Sequence, residues 1–287
     1  VADEAHARRL AAAWPLTASL LAGAFWPGPL TLVVERASHI PAAIAGGSSS
    51  VAVRVPSHPV ARALLSRLGA PVAAPSANRY QGLSPTTAAH VVKELGDRVD
   101  LVLDGGGCDG GIESTVVDAR LDPPVVLRPG AVSLEALAAI AAGIVSVHDD
   151  PSSDQGRASP GMDARHYAPR APLTLAPTRA AAIALAKSIA TTQGTRVGLV
   201  LHEPAMPDAA QPADAAASSE RRALEGEAHV VLRVLPRDAI AYARALYGTL
   251  HDLDDEPVGA IVVQDVPADA SWWAVADRLA RGSKRLA

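Results

Sequence analysis

The chain has 287 residues, of which 49% are hydrophobic and 20% are charged, so it can bury a sizeable core and is not generically disordered. Its formal net charge of -4 excludes a global basic field for nucleic acid, and any contact with RNA would need a local patch. The single cysteine, Cys108, excludes an intrachain disulfide, and no apolar run approaches the ~20 residues of a membrane span.

The first half of the chain mixes short apolar runs with helical patterns and predicts an α/β or α+β domain over residues 1–147. Ser84 stands where a helix N-cap is expected, with Pro85 at the first position of the helix and Gly96 at its end. The predicted helices span 3–24 with an interruption at Pro15, 57–68, 84–95 and 133–142, and the predicted strands span 30–35, 51–55, 101–103, 114–119 and 125–128.

Residues 148–172 are rich in Pro, Ser, Asp and Gly and lack periodicity, which is typical of a linker. A pure spacer has little reason to contain the cluster Arg165-His166-Tyr167, so we expect this linker to have a function. From residue 173 onward strands alternate with helices, and this pattern predicts a small doubly wound α/β domain over 173–287. The predicted strands are 173–175, 196–202, 229–235 and 258–264, and the predicted helices are 179–190, 237–251 and 268–280.

The residues that could carry chemistry form small polar clusters at strand and loop ends, while no nucleophile elbow, Walker loop or zinc spacing is found in the sequence. The clusters contain Ser50, Arg54, Ser76, Asn78, Ser84, the Gly105-Gly106-Gly107 run, Ser114 and Arg128. Ser and Asn side chains near a helix start suit phosphate oxygens, glycines let backbone amides approach an anion, and arginine pairs with carboxylate or phosphate. Two arginines, one for each anion, fit a site for a nucleotide and an amino acid.

Each of these residues also has a structural interpretation. Ser84 could be an N-cap and nothing more, and Asn78 could be a turn residue. The glycines could only allow positive φ, and Arg54 and Arg128 could be surface cations on edge strands.

The order and spacing of six motifs point to a known family. The motifs are Phe25-Trp26-Pro27-Gly28-Pro29-Leu30-Thr31, Val53-Arg54-Val55-Pro56, Ala74-Pro75-Ser76-Ala77-Asn78, Gly82-Leu83-Ser84-Pro85-Thr86, Glu113-Ser114-Thr115-Val116 and Leu127-Arg128-Pro129-Gly130. Together they closely resemble the YrdC-like threonylcarbamoyl-AMP synthases, and Ser159-Pro160-Gly161-Met162 with the tail resembles the longer, two-domain members. The resemblance implies a YrdC-like twisted mixed sheet with helices, then a linker and a small Rossmann-like α/β domain.

The resemblance also implies an activity, the condensation of L-threonine, bicarbonate and ATP into threonylcarbamoyl-AMP and pyrophosphate by a nucleotidyltransferase. Other proteins would then use the adenylate to modify the adenosine beside the tRNA anticodon, so that the enzyme meets tRNA only indirectly. A cytoplasmic enzyme without membrane contact is implied. Because a threonine carbamate can attack the α-phosphorus itself, no catalytic side chain is expected, and catalysis rests on positioning and charge stabilisation.

Site residues follow from the resemblance position by position. The implied ATP contacts are Ser50, Ser76, Asn78, Ser84, Arg128 and Tyr167, and the implied L-threonine contacts are Arg54, Ala74 through its backbone, and Ser114. Tyr167 would reach back from the linker over the nucleotide and help to exclude water. Mg²⁺ is expected to bridge the ATP phosphates without a protein ligand.

One family feature is not found here, because members carry a Lys-x-Arg motif ahead of the position of Val1 and residues 1–49 contain none. We therefore expect an N-terminal segment with this motif to be missing from the sequence. Two alternatives stay open. One is an RNA-binding module without catalysis, which the acidic charge and the 3% aromatic content disfavour. The other is a related domain that transfers carbamoyl groups.

Overall fold

The computed structural model describes residues 1–146, 167–203 and 221–283. The chain forms two compact units, the first from Val1–Ser76, Leu103–Gly106 and Ile112–Asp163, and the second from Ala77–Val102, Gly107–Gly111 and Ala164–Ala287. The segment 77–102 thus packs with the second unit, although the sequence placed it in a domain over 1–147. Most of the predicted linker lies outside the described residues, so the predicted domain boundaries stay a prediction.

The first unit is built on a mixed sheet, with six strands in its described part. Strand β2 is central, because it pairs antiparallel with β1 and β3 and parallel with β4. Its side chains Leu32 and Val34 on one face and Val33 on the other are buried, as expected for a strand covered on both faces. The strands are β1 Ala11–Ala13, β2 Leu30–Arg36, β3 Ser50–Val53, β4 Thr115–Asp118, β5 Val125–Arg128 and β6 Val145–Ser146.

Four helices accompany this sheet in the described part: α1 Glu4–Arg9, α2 Leu16–Phe25, α3 Pro59–Leu68 and α5 Leu134–Ile140. The prediction of one helix over 3–24, broken only at Pro15, is wrong in the middle. Residues Ala11 to Ala13 pair with β2 instead, so sheet pairing overrides the helix propensity of alanine. Ser133, the first residue of the predicted helix 133–142, is the N-cap of α5 and accepts a hydrogen bond from the amide of Ala136 at 3.1 Å.

The second unit contains four parallel strands among its described residues, in the order β7-β10-β8-β9. On one face Ala182, Ala186 and Ala190 of α6 pack against Val197 and Leu199 of β8. On the other face a side chain at Gly198 would meet Leu253 of α7, so helices cover both faces. The elements are β7 Leu173–Ala176, β8 Arg196–His202, β9 Val230–Leu235, β10 Val258–Gln264, α4 Ala88–Leu95, α6 Arg179–Gln193, α7 Ala239–Asp255 and α8 Trp273–Gly282.

These two sheets confirm the predicted α/β class, with a mixed sheet followed by a small doubly wound domain. Two further local predictions are wrong. Helix α4 begins at Ala88 with Thr87 as N-cap, not Ser84, because the Thr87 side chain accepts the amide hydrogen of His90. Residues 101–103 form no strand, and Leu101 and Leu103 are exposed without a neighbouring strand to pair with. No helix among the described residues combines the length and the apolar character that a membrane crossing needs.

Gly130 marks a close approach of two backbones in the first unit. A Cβ atom there would lie 2.3 Å from the amide nitrogen of Thr115 and 2.5 Å from the carbonyl carbon of Ser114. The Thr115 hydroxyl donates to the carbonyl of Val132 at 2.8 Å and accepts from its amide at 3.0 Å, which fixes the chain after Gly130 against β4. Only glycine leaves room for this packing.

We predict that Gly130→Ala lowers the free energy of unfolding by about 1–3 kcal/mol, because backbone atoms must move apart to admit the methyl group. Urea unfolding followed by circular dichroism measures this change. The matched control is Gly23→Ala in α2, where no atom lies within 4 Å of the added Cβ and a gain of up to about 1 kcal/mol is expected. Equal stabilities for Gly130→Ala and the native chain would contradict the close approach.

Candidate functional site

Four strand ends meet at one edge of the first sheet. Strands β2 and β4 run parallel, and Leu30 of β2 pairs with Thr115 of β4, so their amino ends are neighbours. Because β3 and β5 run antiparallel to them, the carboxyl ends of β3 and β5 reach the same edge. The polar residues at this edge, here called the strand-end cluster, are Thr31, Arg54, Ser114 and Arg128.

Ser114 is the centre of the strand-end cluster and is buried. Its hydroxyl lies 2.8 Å from the hydroxyl of Thr31, and either oxygen can donate. Its carbonyl accepts from the Nε atom of Arg128 at 3.2 Å and from the Nη2 atom at 3.0 Å. One buried serine therefore links β2, β5 and the segment that leads into β4.

Arg54 reaches the cluster from the end of β3 and is held by the turn that precedes β2. Its Nε atom donates to the carbonyl of Gly28 at 3.0 Å, and the amide of Gly28 donates to Val55 at 2.9 Å. A Cβ atom at Gly28 would lie 2.2 Å from the carbonyl oxygen of Phe25, so the turn requires glycine. Arg54 and Arg128 are half-buried and are held by backbone carbonyls. They are therefore not the exposed surface cations that the structural interpretation of the sequence suggested.

The strand-end cluster thus places two guanidinium groups and two hydroxyls at the edge of an apolar sheet. Arginine is suited to carboxylate and phosphate oxygens, and hydroxyls can donate to or accept from a small polar ligand. Three of its four members were predicted from the sequence. Thr31 was not, although it closes one of the motifs that carry the family resemblance.

The structure does not bring the other predicted residues of the first unit into the cluster. Ser50 begins β3 and pairs with Glu35, so it lies at the end of that strand opposite Arg54. Its hydroxyl is 2.8 Å from that of Ser48. Ala74 and Ser76 are exposed in the irregular segment that follows α3.

Asn78 lies in the second unit, where its side chain closes a turn. The Nδ2 atom donates to the carbonyls of Arg79 at 3.0 Å and Gly82 at 2.9 Å, which confirms the turn interpretation. Its Oδ1 atom is buried and has no hydrogen-bond partner among the described residues. The predicted contact of Asn78 with ATP stays a prediction.

Tyr167 is buried in the second unit with a positive φ of 62°. The Arg278 guanidinium lies 5.2 Å from the centre of its ring, and the ring of Tyr247 lies 5.8 Å away. The position of Tyr167 over a nucleotide stays a prediction, since its ring packs inside this unit in the structure.

Ser84, also in the second unit, contacts one of two stacked histidines, His90 and His251, which were not predicted from the sequence. Its carbonyl lies 3.1 Å from Nε2 of His251, whose ring stacks on His90 with centroids 3.9 Å apart. The amide of Thr86 donates to Nδ1 of His90 at 3.3 Å, which requires a neutral His90. No sequence pattern links the two histidines, because only the tertiary fold brings α4 and α7 together.

A charged pocket of about 300 Å³ lies in the second unit. Its three cations already have acidic partners. Lys93 pairs with Asp255, Arg170 lies 3.7 Å from Asp254, and Arg79 lies 4.0 Å from Glu94. An anion would have to displace these pairs before it could bind. The pocket is lined by Arg79, Gly82, Leu83, Lys93, Glu94, Ala168, Arg170 and Asp254.

Comparison with known families accounts for both units. A family model described as "Telomere recombination", the Sua5, YciO and YrdC group, matches residues 1–130. A second model, "Threonylcarbamoyl-AMP synthase, C-terminal domain", matches residues 132–283. The chain belongs to the Sua5/YrdC family. The resemblance seen in the six motifs is thereby confirmed.

Individual relatives in the Sua5/YrdC family cover most of the chain. The threonylcarbamoyl-AMP synthase of Bacillus subtilis is 34% identical over 99% of this chain and 78% of its own length. The enzyme of Schizosaccharomyces pombe is 33% identical over 90% of this chain and 64% of its own length. The enzyme of Pyrococcus abyssi is 44% identical over 55% of this chain and 46% of its own length. The crystal structure of P. abyssi Sua5 with L-threonine matches with a TM-score of 0.79 and 33% identity, over 96% of this chain and 76% of that chain.

We predict that the stacked histidines make the second unit less stable in mild acid. Burial lowers the pKa of His90, helped by His251 and Lys93, while Asp252 and Asp255 act in the opposite direction. Because the pKa of His90 is lower in the folded than in the unfolded chain, the unfolded chain binds more protons as pH falls below about 6.5. This stability is therefore present above that pH and is lost as pH falls through the folded pKa.

Thermal unfolding at pH 7.5 and pH 5.5 measures the effect. The decrease of Tm between the two values is expected to be smaller in His90→Gln than in the native chain. His39→Gln, at an exposed histidine of the first unit, controls for the loss of one imidazole. The same decrease in the native chain and in His90→Gln would show that His90 does not titrate as described.

Proposed function

We propose that this chain synthesises threonylcarbamoyl-AMP from L-threonine, bicarbonate and ATP, with release of pyrophosphate. The observation that carries the proposal is the strand-end cluster, found in a chain whose fold matches that of a Sua5 with bound L-threonine. Two half-buried arginines and two hydroxyls at one sheet edge suit a small zwitterion beside an anion. The adenylate would serve N6-threonylcarbamoyladenosine formation in tRNA.

Arg54 is proposed to pair with the threonine carboxylate, since its guanidinium is directed by Gly28 and is half-buried. The hydroxyl of Ser114 forms a hydrogen bond with the hydroxyl of Thr31. A ligand can therefore replace Thr31 as the partner of Ser114 without a large rearrangement. Partial burial strengthens both interactions, because less water competes for the same groups. These contacts would fix the carbamate in one orientation.

In the proposed reaction a carbamate oxygen attacks the α-phosphorus of ATP, and the bond from that phosphorus to the pyrophosphate oxygen breaks. No protein nucleophile takes part. Arg128 is proposed to offset the charge on the phosphoryl oxygens, and its guanidinium is fixed in advance by the Ser114 carbonyl. A prepositioned cation needs little reorganisation as the charge develops.

Several parts of the proposal rest on the family resemblance alone. These are the nucleotide contacts of Ser50, Ser76, Asn78, Ser84 and Tyr167, the backbone contact of Ala74, the downstream threonylcarbamoyl-transfer proteins and the cytoplasmic location. Mg²⁺ is proposed to accompany ATP. Phosphate oxygens are hard donors of the kind that Mg²⁺ prefers, so the nucleotide itself would hold the ion.

We predict that the protein, expressed from its complete reading frame, releases pyrophosphate from ATP only when L-threonine and bicarbonate are both present. Arg54→Ala should weaken threonine binding by about 2–5 kcal/mol, since an unpaired buried carboxylate remains. The half-saturating threonine concentration then rises about thirtyfold or more. Steady-state pyrophosphate assays measure both effects.

Arg67→Ala is the matched control, because Arg67 is an exposed arginine of α3 in the same unit and should leave threonine dependence unchanged. Pyrophosphate release that does not depend on threonine would exclude the proposed activity. Turnover that requires bicarbonate but accepts no threonine would favour the carbamoyl-transfer alternative.

A further inference from the structure

The carboxyl ends of β8 and β10 lie side by side in the second sheet. The elements that follow these two strands lie on opposite sides of the pair. The next strand after β8 is β9, which occupies the outer side of β8. The helix that follows β10 is α8, which packs against β7 on the other side. In open parallel α/β sheets such a divergence creates a crevice in which ligands bind.

The last residues of these two strands form a hydrogen bond whose direction can be assigned. Nδ1 of His202 lies 3.0 Å from the carbonyl of Glu203, which can only accept, so Nδ1 carries the proton. Nε2 of His202 is then an acceptor in the neutral ring. It lies 2.7 Å from Nε2 of Gln264, which donates, so the Gln264 Oε1 atom points away from the histidine.

Two polar atoms in this region are left without a hydrogen-bond partner among the described residues. They are Oε1 of Gln264, a residue 8% exposed, and the hydroxyl of Tyr242, which is fully buried. The ring of Trp272 lies 5.3 Å from the ring of Tyr242 and 6.4 Å from the ring of His202, which is the hydrogen-bond partner of Gln264. Tyr242 and Gln264 therefore belong to one group of neighbouring side chains. Each unsatisfied group costs about 1–3 kcal/mol, so a ligand that satisfied both would recover that free energy.

The two atoms have complementary roles. Oε1 of Gln264 can only accept. Burial, together with the nearby Asp265 carboxylate, raises the pKa of Tyr242 far above its ordinary value, so its hydroxyl keeps its proton and can donate. The group therefore offers one acceptor and one donor beside an aromatic ring.

The charges nearby do not favour a phosphate. Asp265 lies at the end of β10, and Arg179 at the start of α6 already donates to the carbonyl of His202 at 3.0 Å. The first turn of α6 is capped by Thr178, whose hydroxyl accepts the amide of Ala181 at 3.1 Å. A neutral planar ligand suits this environment better than an anion.

We propose that His202, Tyr242, Gln264 and Trp272 form a second binding site, for the amino-substituted edge of a nucleobase such as adenine. The exocyclic N–H would donate to Oε1 of Gln264, and the adjacent ring nitrogen would accept from the hydroxyl of Tyr242. The site is separate from the strand-end cluster and does not depend on the proposed synthase activity.

The test is a calorimetric titration of the full chain with adenosine. Saturable binding is expected, and Gln264→Met and Tyr242→Phe should each weaken it about tenfold or more. N6,N6-dimethyladenosine, which lacks the N–H donor, should bind the native chain more weakly by a similar factor. Gln193→Met, at an exposed glutamine that ends α6, is the matched control and should keep the native affinity.

Tyr242→Phe keeps the ring that packs against Trp272, so it provides a folded comparison even if Gln264→Met fails to fold. Native affinity in Tyr242→Phe, or equal binding of adenosine and its dimethyl derivative, would overturn the proposal. The absence of saturable adenosine binding would also overturn it, and would indicate that water or another part of the chain satisfies the two atoms.

Discussion

The two hydrogen bonds from Arg128 to the carbonyl of Ser114 are the constraint on which the first unit depends. They join the end of β5 to the start of β4, and Ser114 in turn contacts Thr31 at the start of β2. The approach is possible because Gly130 presents no side chain to the backbone of Thr115. Stability and site geometry therefore rest on the same few atoms, so substitutions here should affect both.

The two units use strand ends in different ways. In the first unit the polar side chains of the strand-end cluster bond to one another and to backbone carbonyls, so they are positioned before a ligand arrives. In the second unit Gln264 and Tyr242 each retain a buried polar atom without a partner in the described part of the chain. Prepositioned groups reduce the entropic cost of binding. Unsatisfied buried groups make binding more favourable, because the ligand supplies the hydrogen bond that they lack.

The sequence predicted the strands best where a continuous apolar run stands between breakers. The predicted strands over 196–202 and 258–264 coincide with β8 and β10. The strand prediction failed for β1, because its Ala-rich sequence favours a helix whereas pairing with β2 makes it a strand. The helix start was misplaced at Ser84, because Ser84 and Thr87 are equally acceptable N-cap residues in the sequence. Local propensity cannot show which distant strand is available for pairing.

For the candidate site, the motifs predicted Arg54, Ser114 and Arg128 because the order and spacing of the motifs resemble those of a family. The stacked pair His90 and His251 could not be found in that way, since nothing near either residue signals the other. The same holds for Gln264 and Tyr242, whose significance lies in unsatisfied hydrogen bonds that only a three-dimensional structure reveals.

Backbone amide chemical shifts during a titration with L-threonine show whether the strand-end cluster holds this ligand. We expect saturable shifts at Thr31 and Ser114 in the native chain, and their loss in Arg54→Ala. Saturable shifts confined to residues of the second unit, or an Arg54→Ala chain that titrates like the native one, would contradict this expectation.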